Sequence, residues 1–187
     1  FTTADYKLLD DFESYTADSQ LKVVWAKLNT SNGERALETI AIPQEGIQSM
    51  LTTPILTGTP YFQEYFQSYS AASDINWTQQ NIKALSLWFK GQSSNKGCQF
   101  YVRLKDGTGT AGKNEYVIYR NSQGAPDINA VQLTSWTQWN ISLKAITDAN
   151  PAFNMSNIRL FFIGFGDGIS HGTVSNKVWI DNIRHEI

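Results

Sequence analysis

The sequence lacks the residues that would tie the chain together or anchor it in a membrane. A single cysteine, Cys98, stands among 187 residues, so no disulfide can form within the chain. No run of about 18 apolar residues occurs, which excludes insertion of a hydrophobic helix into a membrane. Fifteen basic residues against 17 acidic ones leave a net charge of −2. This balance argues against a nucleic-acid partner, because phosphates require a basic surface.

Recognisable catalytic motifs are also missing. The chain contains no Gly-x-Ser-x-Gly elbow, no phosphate-binding loop and no dinucleotide fingerprint. Six glutamates could still approach one another in space as a glycosidase pair, but none belongs to a closely alternating acidic strand motif. They are Glu13, Glu34, Glu38, Glu45, Glu64 and Glu115. A polysaccharide lyase or glycosidase therefore remains an alternative function.

Helical periodicity is almost absent, whereas period-2 alternation recurs along the chain. The only short helical pattern covers residues 143–149, where Asn150 and Pro151 end it. Nine or ten short strands without crossover helices predict an all-β antiparallel sandwich, or jelly roll, of two sheets in a single domain of residues 1–187. The alternating segments are residues 22–28, 46–51, 61–69, 84–90, 99–105, 115–120, 136–143, 158–165 and 177–183.

Alternation also predicts which side chains face away from the core. In residues 84–90, Leu85, Leu87 and Phe89 should face inward, which turns Trp88 outward. The same reading of two other segments turns outward Tyr101, Arg103, Tyr65, Gln67 and Tyr69. Aromatic rings beside amides and guanidinium groups suit sugars, whose C–H faces stack on rings while their hydroxyls form hydrogen bonds. The alternative is a structural role, because Tyr and Trp also stabilise half-buried sheets.

The overall composition favours an extracellular protein that handles polysaccharides. Aromatic residues make up 13% of the chain, six of them Trp, whereas charged residues make up only 17%. The chain begins at Phe1 rather than Met, which favours a processed or excised domain. We therefore expect a secreted or cell-surface location.

Carboxylates are interleaved with apolar residues at both ends of the chain, in residues 8–13 and 178–183. Antiparallel sandwiches commonly pair their first and last strands, which would bring Glu13 and Asp181 within reach of one hard cation. Calcium takes six to eight oxygen ligands from carboxylates, amides and backbone carbonyls. A structural calcium ion is the prediction. The alternative is that these carboxylates are surface charges that blunt edge strands.

Five short motifs resemble non-catalytic carbohydrate-binding modules with a galactose-binding-like jelly roll, notably those of family 11. The motifs are the opening Asp10-Asp11-Phe12-Glu13, the run Gly46-Ile47-Gln48-Ser49-Met50, Asn76-Trp77-Thr78 before residues 85–89, residues 135–143, and the closing Trp179-Ile180-Asp181-Asn182-Ile183. The similarity is spread over nearly the whole chain, although each motif is short.

The resemblance implies particular residues for two sites. A structural calcium ion would bridge the first and last strands through Glu13 and Asp181, with oxygens of the Gln48 region as further ligands. A concave sheet would carry the glycan-binding residues, here Tyr65, Tyr69, Trp88, Tyr101, Arg103 and Tyr116.

The function that follows is non-catalytic binding of a polysaccharide, either β-glucan-like or another plant or algal glycan. The chain would be a monomeric domain of a larger protein that directs an attached enzyme or a cell surface to the glycan. A structural or adhesion domain of a larger secreted protein is a further alternative to the enzyme named above.

Overall fold

The computed structural model describes residues 6–28, 32–56, 61–66, 76–108, 110–167 and 175–187. Within these ranges eleven strands form two antiparallel sheets, of six and five strands. The predicted antiparallel sandwich is confirmed. Two short helices accompany the sheets, α1 at Asp18–Val24 and α2 at Leu143–Ala149. Neither they nor any other described segment forms a helix long and apolar enough to cross a membrane.

The six-stranded sheet contains both ends of the described chain. Its strands lie in the order β3-β4-β11-β6-β9, and β1 also pairs with β11. Their bounds are β1 Tyr6–Asp10, β3 Asn32–Glu38, β4 Ser49–Ile55, β6 Ala84–Lys90, β9 Thr137–Ser142 and β11 Val178–Glu186. The predicted pairing of the first and last strands is therefore confirmed.

The five-stranded sheet lies in the order β2-β5-β10-β7-β8. Its bounds are β2 Trp25–Lys27, β5 Phe62–Phe66, β7 Phe100–Asp106, β8 Asn114–Ile118 and β10 Ile158–Phe165. The central strand β10 is almost continuously apolar. The alternation expected over residues 158–165 does not extend beyond Leu160, so it does not show which side chains of β10 point outward.

The core lies between the two sheets, and its residues agree with the predicted alternation. Leu85, Leu87 and Phe89 of β6 are fully buried, and so is Phe100 of β7. The Phe100 ring lies 4.9 Å from that of Phe89 across the sandwich and stacks on that of Phe165 at 5.1 Å. Tilted and offset ring pairs of this kind add to the stabilisation that burial provides.

The structure differs locally from the sequence prediction in two places. Residues 18–24 form helix α1 rather than the start of a strand, and only Leu21 of its side chains is fully buried. With a single fully buried side chain, α1 has no repeated buried position that would show a helical period. Strand β3 covers residues that lie in none of the predicted alternating segments, and within it Gly33 takes φ +124° while pairing with Pro54 of β4.

Candidate functional site

The outer face of the five-stranded sheet carries a row of large side chains that crosses four strands. Tyr65 of β5 lies opposite Phe162 of β10, Phe162 lies opposite Arg103 of β7, and Arg103 lies opposite Tyr116 of β8. Residues in direct register project from the same face of a sheet. The structure therefore brings together three of the predicted ligand residues, Tyr65, Arg103 and Tyr116.

Arg103 holds this row together by stacking. Its guanidinium carbon lies 3.5 Å from the centroid of the Phe162 ring and 5.8 Å from that of Tyr116. The Tyr65 ring packs against Phe162 from the other side at 5.3 Å. Phe162 is thereby covered, with only 1% of its surface exposed. A planar cation stacked between rings is a stiff arrangement, and Arg103 Nη1 donates a hydrogen bond to Tyr116 Oη at 3.4 Å.

Tyr101 lies in a second row and supports the surface instead of presenting its ring to solvent. It lies opposite Gly164 of β10, where an added Cβ would be 2.2 Å from the tyrosine Cζ. The ring therefore lies flat over the glycine, and its hydroxyl accepts a hydrogen bond from Gln63 Nε2 at 2.5 Å. Burial raises the pKa of Tyr101. The expectation of an exposed stacking ring is wrong for Tyr101, which is only 3% exposed.

A cleft of about 380 Å³ opens beside this second row. Its exposed walls are Tyr116 and Tyr61, with 52% and 44% of their surfaces accessible. The complete lining is Tyr61, Gln99, Tyr101, Tyr116, Ile118, Gly166 and Asp167. Two exposed rings beside an amide and a carboxylate can both stack on a sugar and bind its hydroxyls.

Four residues of this surface are not among the predicted site residues, namely Tyr61, Gln63, Phe162 and Asp167. Tyr61 and Gln63 alternate outward with Tyr65 and could have been included on that signal. Phe162 lies in the continuous apolar run of β10, where no alternation distinguishes it from buried neighbours. Asp167 follows the end of that strand. Two predicted ligand residues, Gln67 and Tyr69, lie outside the described residues.

Trp88 points outward as predicted, but from the other sheet. It lies on β6, opposite Gln138 of β9 and Asp181 of β11 in the six-stranded sheet. The prediction that it shares a face with the tyrosines is wrong, because strand alternation shows only that a side chain leaves the core. It does not show from which of the two sheets.

The surroundings of Trp88 form a separate surface with a loop packed on it. Lys90 Nζ lies 4.9 Å from the centroid of the Trp136 ring and 5.3 Å from that of Trp179. The carbonyl of Ile42 accepts hydrogen bonds from Lys90 Nζ and from Trp136 Nε1, both at 3.1 Å. The loop that joins β3 to β4 is thereby fastened to the outer face of the six-stranded sheet.

Asp181, one of the predicted metal ligands, binds that loop. Its Oδ2 accepts hydrogen bonds from the backbone N–H groups of Gln44 at 2.8 Å and Glu45 at 3.2 Å. Its Oδ1 accepts one from the N–H of Asn182 at 2.8 Å. Burial raises the pKa of Asp181 to about 6, although these hydrogen bonds oppose the rise, and the Glu13 carboxylate adds to it.

Glu13 binds the same loop from the opposite end of the chain. Its Oε1 accepts hydrogen bonds from the N–H groups of Ile47 at 2.9 Å and Gln48 at 3.1 Å. Gly46 passes so close that an added Cβ would lie 2.2 Å from that oxygen. The Gln48 side chain donates through Nε2 to the carbonyls of Phe12 and Tyr15 at 2.5 and 2.8 Å. The structure thus gathers all three predicted metal residues around one loop.

The two carboxylates fit a hard cation in one respect. Glu13 raises the pKa of Asp181 by repulsion, so a cation between them would relieve that repulsion. Over the part of the chain that the structure describes, however, no three His, Cys, Asp or Glu side chains group closely enough to hold a metal. A calcium ion would therefore take most of its oxygens from amide and backbone carbonyls.

Three other acidic residues among those that the structure describes lie away from the outer face of the five-stranded sheet. Glu64 points into the core between the sheets, where it is fully buried. Glu34 lies 3.6 Å from both Lys22 and Lys27 in ion pairs. Asp10 accepts hydrogen bonds from Tyr15 Oη at 2.6 Å and Trp25 Nε1 at 2.8 Å, which fixes the end of β1 to the core.

A two-sheet sandwich with an aromatic and polar outer sheet face has the architecture of a carbohydrate-binding module. The family model described as Carbohydrate binding domain 30 matches residues 14–186, and the chain belongs to that family. It is therefore a non-catalytic carbohydrate-binding protein, and the enzymatic alternative is set aside. No curated protein sequence matches the chain.

Solved structures with the same fold include modules of families 11 and 30. The family 11 module of the cellulosomal cellulase Lic26A-Cel5E of Clostridium thermocellum is 15% identical, with a TM-score of 0.63, over 99% of this chain and 96% of that one. A family 11 module from the same organism, in complex with a β-1,3-1,4-mixed-linked tetrasaccharide, is 15% identical with a TM-score of 0.61, over 97% and 95%. The family 30 module of the Clostridium thermocellum cellulase Cel9D-Cel44B is 14% identical with a TM-score of 0.51, over 83% and 88%.

Proposed function

We propose that this module binds a β-glucan-like polysaccharide chain across the outer face of the five-stranded sheet. The observation that carries the proposal is the row from Tyr65 through Phe162 and Arg103 to Tyr116, which crosses four strands in register. The exposed rings of Tyr116 and Tyr61 provide stacking surfaces beside polar groups. The mixed-linked tetrasaccharide bound by a structurally similar module supports the choice of glycan class.

The biological role follows from binding without catalysis. As a monomeric domain of a larger extracellular protein, the module would hold an attached enzyme or a cell surface against its polysaccharide. Attachment raises the effective concentration of the enzyme at its substrate without any new catalytic contact.

Substitution of Tyr116 tests this assignment. Tyr116→Ala removes a ring that is 52% exposed, so the fold should be kept while binding of mixed-linked β-glucan weakens about threefold to tenfold, or ~0.7–1.4 kcal/mol. Calorimetric titration with the soluble glucan measures the change.

The matched control is Tyr6→Ala on the opposite sheet. Tyr6 is 47% exposed and stacks under Arg184 at 4.6 Å, much as Tyr116 lies beside Arg103. Its loss, and that of Trp88, should leave the affinity unchanged. Weaker binding by Tyr6→Ala or Trp88→Ala, with the affinity of Tyr116→Ala unchanged, would place the glycan on the other face.

We also propose a structural calcium ion held by Glu13 and Asp181 with oxygens of the Gln48 region. Both carboxylates bind the loop of residues 44–48, so a cation there would stiffen the link between the two ends of the chain. Metal that binds only the folded state stabilises it by about 2.7 kcal/mol at a hundredfold excess over Kd.

Thermal melting with and without calcium distinguishes stabilisation by a bound ion from stabilisation by the hydrogen bonds of the two carboxylates alone. Calcium added to chelator-treated protein should raise Tm by several degrees, and Asp181→Asn should remove that rise. Melting that is insensitive to both calcium and chelator would leave the two carboxylates as acceptors for loop N–H groups alone.

A further inference from the structure

A second concavity of about 490 Å³ runs along one open edge of the sandwich. It lies between the edge strands β8 and β9, which belong to different sheets, and α2 borders it. Its volume lies within the range of about 300–1,000 Å³ that is usual for small-ligand sites.

The inside of this edge cleft has both aromatic and polar groups. Tyr119 and Trp139 line it, with ring centroids 5.3 Å apart at an interplanar angle of 84°. Asn140 and Arg120 are exposed beside them, so amide and guanidinium donors border the rings. Rings with a polar rim suit a sugar better than an aliphatic ligand.

The edge cleft is continuous with the proposed glycan face. Tyr116 and Ile118 of β8 line both the edge cleft and the cleft of about 380 Å³ on the sheet. Because β8 is the edge strand, a glycan stacked on the exposed ring of Tyr116 reaches the rim of the edge cleft. A substituent that branches from the glycan at this point would have a shaped space to enter.

We propose that the edge cleft binds the sugar side chains of a substituted polysaccharide whose backbone lies on the five-stranded sheet. This inference rests on the proposed function, since it requires the backbone to cross Tyr116. The module would then prefer a branched glucan to a linear one of the same backbone.

The experiment compares two oligosaccharides of equal backbone length by calorimetry. One is an unsubstituted β-1,4-glucan and the other carries single xylose side chains. We expect the substituted ligand to bind at least fivefold more tightly to the wild-type module. Ala145→Arg fills the edge cleft from an exposed position on α2 and should erase that preference, while affinity for the linear ligand stays unchanged.

Val23→Arg is the matched control, since Val23 is 72% exposed on α1, which packs against β2 and β3 at the opposite edge. It should keep the preference. Asn140→Arg, at an exposed position of β9, is a second variant that fills the cleft. It keeps the test valid if Ala145→Arg does not fold.

Three outcomes would overturn the inference. Equal affinities for the two ligands in the wild type, or a preference that survives both cleft variants, would remove the side-chain site while leaving the sheet as the glycan face. A further outcome is that the wild type forms a dimer that Ala145→Arg abolishes, while the glycan preference does not change. That result would assign the edge cleft to a second copy of the chain. Failure to bind these two ligands and mixed-linked β-glucan as well would instead refute the proposed function itself.

Discussion

A buried glutamate gives the sandwich a pH-dependent stability that can be measured without any ligand. Glu64 of β5 points into the core, where its carboxylate is fully buried beside the Thr52 hydroxyl and the Arg35 guanidinium. Burial raises the pKa of Glu64 to about 8, although the nearby Arg35 guanidinium lowers it in part. Lys27, its neighbour across the strand pair, donates instead to the carbonyl of Gly33.

The sign of the effect follows from which state holds the proton. Between about pH 4.5 and 8 the folded protein keeps Glu64 protonated while the unfolded chain releases the proton, so folding stability falls as the pH rises. At 1.36 kcal/mol per pKa unit, the interval from 4.5 to about 8 corresponds to at most about 5 kcal/mol. The stabilisation is fully present below pH 4.5 and lost above pH 8.

Glu64→Gln removes this dependence because an amide does not titrate. Urea unfolding should be measured at pH 5, 7 and 9. The free energy of unfolding of the variant should exceed that of the wild type by several kcal/mol at pH 9, with little difference at pH 5. Glu34→Gln makes the same chemical change on a side chain that is 64% exposed and should leave the pH profile unaltered. Parallel profiles for the wild type and Glu64→Gln would refute the assignment of a buried, protonated carboxyl.

Two further substitutions test the packing. Phe100→Ala should lower the free energy of unfolding by about 3–5 kcal/mol, because the ring is fully buried against Phe89 and Phe165; a loss below 1 kcal/mol in urea titration would contradict that packing. Gly164→Ala should weaken glucan binding as well as stability, because the new Cβ would displace the Tyr101 ring; unchanged affinity would show that Tyr101 does not support the ligand face.

Alternation succeeded wherever a strand has one buried face. Phe89 and Phe100 were assigned to the core, and Arg103 and Tyr65 to an outer face, because a pleated strand turns successive side chains to opposite sides. Alternation correctly turned Tyr101 outward, but it did not show that the ring is buried over Gly164. Exposure on an outer face depends on neighbouring strands, which a single segment does not reveal.

The chain by itself determined an antiparallel sandwich, the inward set of each alternating strand and the meeting of its two ends. These features depend on local backbone geometry and on the hydrophobic period, both of which can be read within a few residues. Only the tertiary structure decided which sheet each strand joins, and it separated Trp88 from Tyr65, Arg103 and Tyr116. Strand order is set by packing between segments far apart in the chain, so no local pattern encodes it.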